Sequence, residues 1–144
     1  MRRRSEATRV RTLRPMSIAA EKYVSVTTMK RSGDAVSTPV WIVEPADGMI
    51  GFITEADSGK AKRIGNFPDV TVQPCDSRGR VRGGTEPVAA MATVVRGADV
   101  GPFSEALRAK YGLMVPLIDL AYKVRNLVKR RPASEQVAVV LQLQ

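Results

Sequence analysis

Most of the chain after residue 22 consists of short segments in which apolar and polar residues alternate, and this pattern predicts a protein built mainly of β-strands. The clearest segment is Tyr23–Met29, which alternates and is rich in β-branched residues. Residues 31–34 follow it with turn chemistry, since Gly33 can adopt a positive φ. Residues 35–44 then read as the return strand, and Pro39 within it predicts a sheet edge or a bulge.

The next hydrophobic segment, residues 49–54, follows a second hairpin signal at Asp47-Gly48. No long crossover separates these first strands. The pattern therefore predicts a β-meander with an antiparallel sheet.

Beyond residue 57 the pattern becomes mixed and includes helical spacing. Residues 58–65 are short, cationic and compatible with a helix, with Asp57 or Ser58 available as the N-cap. Gly112 closes a later helix as its C′ residue. The remaining predictions are strands at 70–74, 81–82, 87–95 and Gln136–Leu143, and helices at 103–111 and 117–129. Six or seven strands with two or three helices favour a mainly β fold, a closed or half-closed barrel with helices at one end.

Composition divides the 144 residues into two parts. Residues 1–14 hold six arginines against one acid, Glu6, and contribute more than half of the net charge of +9. We expect residues 1–20 to be a basic, disordered arm, and residues 21–144 to form one folded domain. An alternative is that translation starts at Met16.

The absence of histidine excludes Ser-His-Asp and Cys-His catalysis and argues against a zinc site. The single cysteine, Cys75, excludes an intramolecular disulfide and fits a reducing compartment. No apolar run is long enough to span a membrane, and the basic N-terminus lacks the apolar core of a signal peptide. We therefore expect a cytoplasmic protein without membrane insertion.

The segment from Thr54 to Ile64 is the best candidate for chemistry. It predicts a strand, a turn at Ser58-Gly59 and a short helix with three cations, Lys60, Lys62 and Arg63. Backbone amides at a helix N-terminus favour an anion, and nearby cations and a hydroxyl add contacts, so the segment predicts a phosphate site. The alternative is a solvated basic helix face.

Two further features have ordinary alternatives. If extended, Arg78, Arg80 and Arg82 share one face of a strand and could hold an acidic tail or a nucleic-acid backbone, or they are simply a soluble hairpin tip. Trp41, the only tryptophan, could line the pocket of a planar ligand or belong to the core. Specific nucleic-acid binding is not expected, because seven aromatic residues are too few for a stacking platform.

Taken together, these motifs resemble the pyridoxamine 5′-phosphate oxidase-like split β-barrels (FMN-binding split barrels), specifically the actinobacterial F420-binding branch of the flavin/deazaflavin oxidoreductases. The resemblance covers the chain from about residue 22 onwards. It rests on Thr27-Thr28-Met29-Lys30 with Gly33, Thr38-Pro39-Val40-Trp41, Ser58-Gly59-Lys60-Ala61-Lys62-Arg63-Ile64, Pro74-Cys75-Asp76 with Arg78-Gly79, and Lys110-Tyr111-Gly112.

The resemblance implies a set of cofactor-binding residues. Ser58, Lys60 and Ile64 fall on the family's Ser-x-Lys-x-x-x-Leu pattern for the FMN phosphate, with Ile in place of Leu. It also implies a homodimer with the cofactor at the subunit interface. The implied contacts are Ser58, Lys60, Lys62 and Arg63 at the phosphate, Thr28 and Lys30 near the cofactor, and Thr38, Pro39, Val40 and Trp41 along the ring pocket.

The implied function is that of an F420-dependent oxidoreductase, which transfers hydride from the reduced deazaflavin to an electron-poor small-molecule acceptor. Vitamin B6 oxidation is disfavoured because its histidine contacts cannot exist here. No catalytic residue is assigned, although Tyr23, Tyr111 and Tyr122 could donate a proton. The alternatives are an FMN-dependent oxidoreductase of the same fold and a non-catalytic F420 carrier.

Overall fold

A computed structural model describes residues 18–112 and 135–144. Besides a helical segment at residues 18–20, these residues form seven strands, two α-helices and one 3₁₀ turn. In chain order the elements are β1 (Tyr23–Met29), β2 (Ala35–Trp41), β3 (Val43–Ala46), β4 (Met49–Glu55), α1 (Gly59–Asn66), β5 (Asp69–Cys75), β6 (Val88–Val95), the 3₁₀ turn (Gly97–Val100), α2 (Gly101–Tyr111) and β7 (Gln136–Leu143).

All seven strands belong to one antiparallel sheet with the order β2-β1-β5-β6-β7-β4-β3. Its two edge strands, β2 and β3, are consecutive in the chain and are separated only by Ile42. In a flat sheet the outer strands would lie about 29 Å apart, far beyond the reach of about 3.5 Å per residue. The sheet must therefore curl until its edges meet, which gives a split barrel.

The curled sheet encloses the main core. Along each strand every second side chain faces inward. Examples are Val24 and Val26 on β1 and Ile50 and Phe52 on β4, whose side chains are at most 2% exposed. Ile64 of α1 closes this core. Ile18 is also buried there, so residue 18 belongs to the folded unit although it lies within the range expected to be an arm.

A second, smaller core lies where α2 packs on β3 and β4. Phe103 and Tyr111 of α2 are buried against Val43 and Ala138. The contact needs Gly51, because a Cβ there would lie 2.7 Å from a ring carbon of Phe103 and would also meet the backbone of β7. Both Leu107 of α2 and Trp41 border this cluster, and both reappear in the site described below.

Most of the predicted elements are confirmed. Tyr23–Met29 and Gln136–Leu143 have the expected bounds, Ser58 is the N-cap of α1, and Pro39 lies on an edge strand. The helix predicted at 117–129 lies outside the described residues.

Two local predictions are wrong. The return strand at 35–44 is divided at Ile42, and β4 pairs with β3 and β7 rather than with β2, so the first strands do not form a meander. A hairpin signal fixes only the strands it joins; the bend at buried Ile42 sends the chain to the opposite edge of the sheet. The strand predicted at 81–82 is not formed; Val81 makes only an isolated β-bridge with Cys75.

Candidate functional site

The N-terminus of α1 is built around the side chain of Ser58. Its Oγ accepts a hydrogen bond from the backbone N–H of Ala61 at 3.1 Å and another from the hydroxyl of Thr54 at 3.0 Å. Both bonds use the oxygen as acceptor. The hydroxyl proton of Ser58 therefore has no acceptor among the described residues and is available to an oxygen-rich ligand.

Lys60 lies in the first turn of this helix and lines the adjoining cavity. Burial lowers the pKa of its ammonium group, and the positive charge of Arg63 lowers it further, while Glu55 acts in the opposite direction. A cation that is partly desolvated and repelled by a neighbouring cation is stabilised when an anion binds beside it.

Arg63 lies one turn after Lys60, on the same side of the helix. Its Nε donates to Oγ1 of Thr28 on β1 at 2.6 Å. Thr28 is fully buried and its hydroxyl lies 3.4 Å from the carbonyl of Val36, so Thr28 holds the guanidinium rather than facing the cavity. A Cβ on Gly59 would lie 2.6 Å from a terminal guanidinium nitrogen, so the guanidinium lies directly over the first residue of α1.

A cavity of about 340 Å³ adjoins this cluster, which is within the range of about 300–1,000 Å³ typical of ligand pockets. Among residues 18–112 and 135–144, its walls combine rings and aliphatic groups with one cation, Lys60, and include no acidic residue. An anionic ligand with an apolar, planar part fits this chemistry. The lining residues are Tyr23, Pro39, Val40, Trp41, Ile53, Thr54, Lys60, Ser77, Leu107 and Gln136.

Trp41 forms the aromatic wall of the cavity. The ring of buried Tyr111 stacks on its indole with 4.5 Å between centroids and 8° between planes. Tyr23, its cross-strand partner, lies at 6.5 Å with a tilt of 57°. One face of the indole is therefore covered by Tyr111.

The predicted site residues divide into three groups. Pro39, Val40, Trp41 and Lys60 line the cavity, and Ser58, Arg63 and Thr28 form the cluster beside it. Lys30, Lys62 and Thr38 do not line the cavity. The roles of all ten residues at a cofactor stay a prediction.

The three residues outside the cavity have different surroundings. Lys30 is exposed at the end of the β1–β2 hairpin, where its backbone N–H bonds Asp34, and Lys62 is exposed on α1. Thr38 shares the strand face of Val36 and Val40, and its Oγ1 is buried without a hydrogen-bond partner among the described residues.

The arginines at 78–82 do not share one strand face. Arg80 binds Asp76, Nε to Oδ2, at 2.9 Å, and Arg82 binds Glu21 at 2.8 Å. Asp76 also accepts the backbone N–H groups of Arg78 and Arg80, and these bonds hold its pKa below the usual value. The tight turn around Asp76 replaces the predicted strand.

Six of the ten lining residues are absent from the ten predicted cofactor-binding residues. Tyr23 could have been found, because the turn at 31–34 sets a register that places it opposite Trp41. Leu107 and Gln136 carry no local signal, since only the folding of α2 and β7 against the sheet brings them to the cavity.

Two other site classes find no support within residues 18–112 and 135–144. These residues contain no group of three or more Asp, Glu or Cys side chains able to hold a metal ion. Nor do they include a helix of sufficient length and apolarity to traverse a bilayer.

No known family model matches the sequence. No curated protein matches it either. The structure, in contrast, resembles solved structures over most of its length.

A protein from Listeria innocua assigned as a pyridoxamine 5′-phosphate oxidase matches with a TM-score of 0.58 and 8% identity, over 90% of each chain. A protein named F420 reductase matches with a TM-score of 0.54 and 16% identity, over 89% of this chain and 91% of its own. An FMN-binding, pyridoxamine 5′-phosphate oxidase-related protein from Nostoc punctiforme matches with a TM-score of 0.56 and 15% identity, over 95% of this chain and 78% of its own.

Two further matching structures are a haem-binding protein from Mycobacterium smegmatis and a haem-storage protein from Vibrio cholerae. Identities this low establish the fold and leave the ligand open. The chain therefore has the split β-barrel fold of the pyridoxamine 5′-phosphate oxidase-like proteins, a fold used by proteins that bind flavins and, in one case, named for F420.

Proposed function

We propose that this protein is an F420-dependent oxidoreductase that binds the deazaflavin in the Trp41 cavity and its phosphate at the N-terminus of α1. The observation that carries the proposal is the cluster of Ser58, Lys60 and Arg63 beside a cavity with an aromatic wall. A phosphate needs hydrogen-bond donors and cations, and a ring system needs a flat apolar wall.

The residues present fit such a cofactor. The hydroxyl of Ser58 keeps a proton to donate, Lys60 gains an anionic partner that relieves its repulsion from Arg63, and Arg63 is already oriented by Thr28. The bound reduced deazaflavin would supply a hydride to an electron-poor organic acceptor. The protein's part is to orient the ring against Trp41 and to exclude water from the cavity.

FMN is the second candidate, because its phosphate would use the same cluster and one structural neighbour is an FMN-binding protein. F420 has a longer anionic tail than FMN, and this tail favours F420 only if cations outside the phosphate site are available to bind it. Arg80 and Arg82 are engaged by Asp76 and Glu21, so the argument from extra cations now depends on Arg78 alone among the three.

The proposal includes a homodimer in which a second copy completes the cofactor site. Met49 and Phe67 are large apolar residues with 44% and 41% exposure, and such residues are stabilised when a second subunit covers them. Sedimentation equilibrium at several concentrations would show a dimer mass; a monomer at all concentrations would remove this part of the proposal.

The decisive test is a side-by-side titration with oxidised F420, FMN and haem, followed by calorimetry. Tighter F420 binding supports the proposal and leads to acceptor screening with reduced F420, where turnover separates an enzyme from a carrier. Tighter binding of FMN or haem would assign that molecule as the cofactor in place of F420. Binding of none of the three would overturn the oxidoreductase assignment.

Two charge variants connect that titration to the site. Lys60→Ala and Arg63→Ala should each weaken cofactor binding by about 1–3 kcal/mol, as expected when a charge-assisted hydrogen bond is lost. Lys62→Ala is the matched control on the same helix, because Lys62 is exposed and outside the cavity. Equal affinity in all three variants would show that the phosphate does not bind at α1.

A further inference from the structure

The end of α2 is anchored by an unusual set of side-chain bonds to the backbone. Nζ of Lys110 donates to three carbonyls, those of Ala19 at 2.8 Å, Glu21 at 2.6 Å and Ile42 at 2.8 Å. An ammonium group has three protons, so all of its donors are used. Lys110 thus joins α2 to the segment before β1 and to the corner between β2 and β3.

Tyr111 also anchors the end of α2 to the segment before β1 and to the corner between β2 and β3. Its hydroxyl lies 2.7 Å from the carbonyl of Lys22 and 2.8 Å from that of Ile42, and it donates its one proton to either. Both anchors therefore converge on Ile42, the residue that directly follows Trp41. The ring of Tyr111 then lies flat against the indole.

The consequence for the cavity is specific. Trp41 and Leu107 both line it, one from β2 and one from α2, and Lys110 and Tyr111 hold these two elements together. Tyr111 covers one face of the indole, so a ring bound in the cavity must contact Trp41 elsewhere than on that face.

We infer that Tyr111 and Lys110 are positioning residues for ligand binding, which hold Trp41 so that a planar ring system binds against the part of the indole that Tyr111 does not cover. The inference rests on the proposed function, because it concerns the ring half of the same cavity. Neither residue lines the cavity, so their effect on a ligand passes through Trp41.

Trp41 is the chain's only tryptophan, so its fluorescence reports on this wall alone. Acrylamide quenching should increase about twofold in Tyr111→Leu, which removes the stacked ring, and stay near the wild-type value in Tyr111→Phe, which keeps it. Lys110→Met should also increase quenching, whereas Arg108→Met, a change of an exposed cation on the same helix turn, should not.

The second arm measures ligands with the same variants. Tyr111→Leu should lower affinity for whichever of F420 or FMN the wild type binds by up to about tenfold, the equivalent of one aromatic contact. Affinity for inorganic phosphate, which probes only the α1 cluster, should not change. Tyr111→Phe should restore cofactor affinity to within about twofold of wild type.

The outcomes separate this inference from the proposed function. Unchanged quenching in Tyr111→Leu, or unchanged cofactor affinity despite increased quenching, would overturn the positioning role. A variant that only lowers the melting temperature, with wild-type quenching and affinity in its folded state, would likewise show a structural role alone. If the wild type binds neither F420 nor FMN, the proposed function fails, and the quenching series still decides whether Tyr111 and Lys110 fix the indole.

Discussion

Arg63 donates from Nε to Oγ1 of Thr28, across 35 residues of sequence and from helix to strand. The bond uses the inner nitrogen of the guanidinium and does not involve its two terminal nitrogens. Thr28 was expected near the cofactor on grounds of resemblance. Thr28 is fully buried and bonds Arg63, so we propose that it acts at the cofactor by holding a cation which would contact the phosphate.

Replacing Thr28 by Val tests this role with little change of shape. Arg63 loses its acceptor, so we expect affinity for the phosphate-bearing cofactor to fall about threefold to tenfold, the equivalent of one ordinary hydrogen bond. Calorimetric titration measures the change. Thr27→Val is the control, because that hydroxyl bonds Ser37 in an exposed position. Equal affinities for the two variants would contradict the assigned role.

Comparing Gly59→Ala with Gly65→Ala should separate an effect on cofactor binding from an effect on stability. A Cβ at residue 59 meets the guanidinium of Arg63, which must then move, so cofactor affinity should fall. Gly65→Ala on the same helix meets nothing within 4 Å and has no positive φ. It should raise stability by about 0.5–1 kcal/mol and leave affinity unchanged. Urea unfolding and titration of both variants measure the two effects; a loss of affinity in Gly65→Ala as well would implicate the helix rather than Arg63.

Ser58 has two roles that different substitutions separate. Ser58→Ala removes the N-cap and should cost about 1 kcal/mol of stability. Ser58→Asp keeps an N-cap acceptor for Ala61 but places a negative charge where the phosphate is proposed to bind, so stability should be retained while cofactor binding is lost. Ser58→Asn, a neutral cap, is the control. Undiminished binding in Ser58→Asp would place the phosphate elsewhere.

How much of this site the sequence can reveal depends on how far apart its parts lie along the chain. Residues 54–64 supply the cluster within one strand, turn and helix, and local signals there predict the cap and the cations. The spacing does not show that Lys62 faces solvent while Lys60 faces the cavity, because that choice is made by the buried pair Ala61 and Ile64. Tyr23 and Trp41 are within reach of prediction because a single hairpin sets their register.

The other half of the cavity depends on contacts that no local pattern encodes. Leu107 and Gln136 reach it only because the sheet closes at Ile42 and α2 packs on β3. The same closure explains why the predicted β-meander is wrong. Arg80 and Arg82 look like cations available to a partner in the sequence, yet Asp76 and Glu21 neutralise them, and the second of these acids lies 61 residues away.

The depressed pKa of Lys60 predicts how binding depends on pH. Below that pKa the side chain is charged and affinity for an anionic cofactor is constant; as pH rises through it, the charge and the affinity are lost. Because the free-state pKa lies below the ordinary lysine value, the loss should begin at a lower pH than for an unperturbed lysine. Lys60→Arg remains charged throughout and should abolish the lysine-dependent loss. Titrations from pH 7 to 10 measure it, and parallel profiles for both proteins would exclude Lys60 as the titrating contact.

Tyr111 should make the stability of the protein sensitive to high pH. Burial, followed by the nearby Tyr23, raises the pKa of its phenol, while the bond to the carbonyl of Ile42 opposes the shift. The folded state then holds the phenolic proton more tightly than the unfolded state. Its contribution to stability is fully present below the ordinary tyrosine pKa of about 10 and declines as pH rises above that value, because the unfolded chain ionises first. Tyr111→Phe removes this titration but keeps the ring on Trp41, so it should lose less stability between pH 8 and pH 11 than the wild type. Urea unfolding at both pH values gives the free energy of unfolding of each protein. The difference between the two proteins cancels the titration of the lysines and of the other tyrosines. Equal losses would mean that the phenol of Tyr111 is not protected in the folded state and that its bonds to Lys22 and Ile42 do not persist in solution.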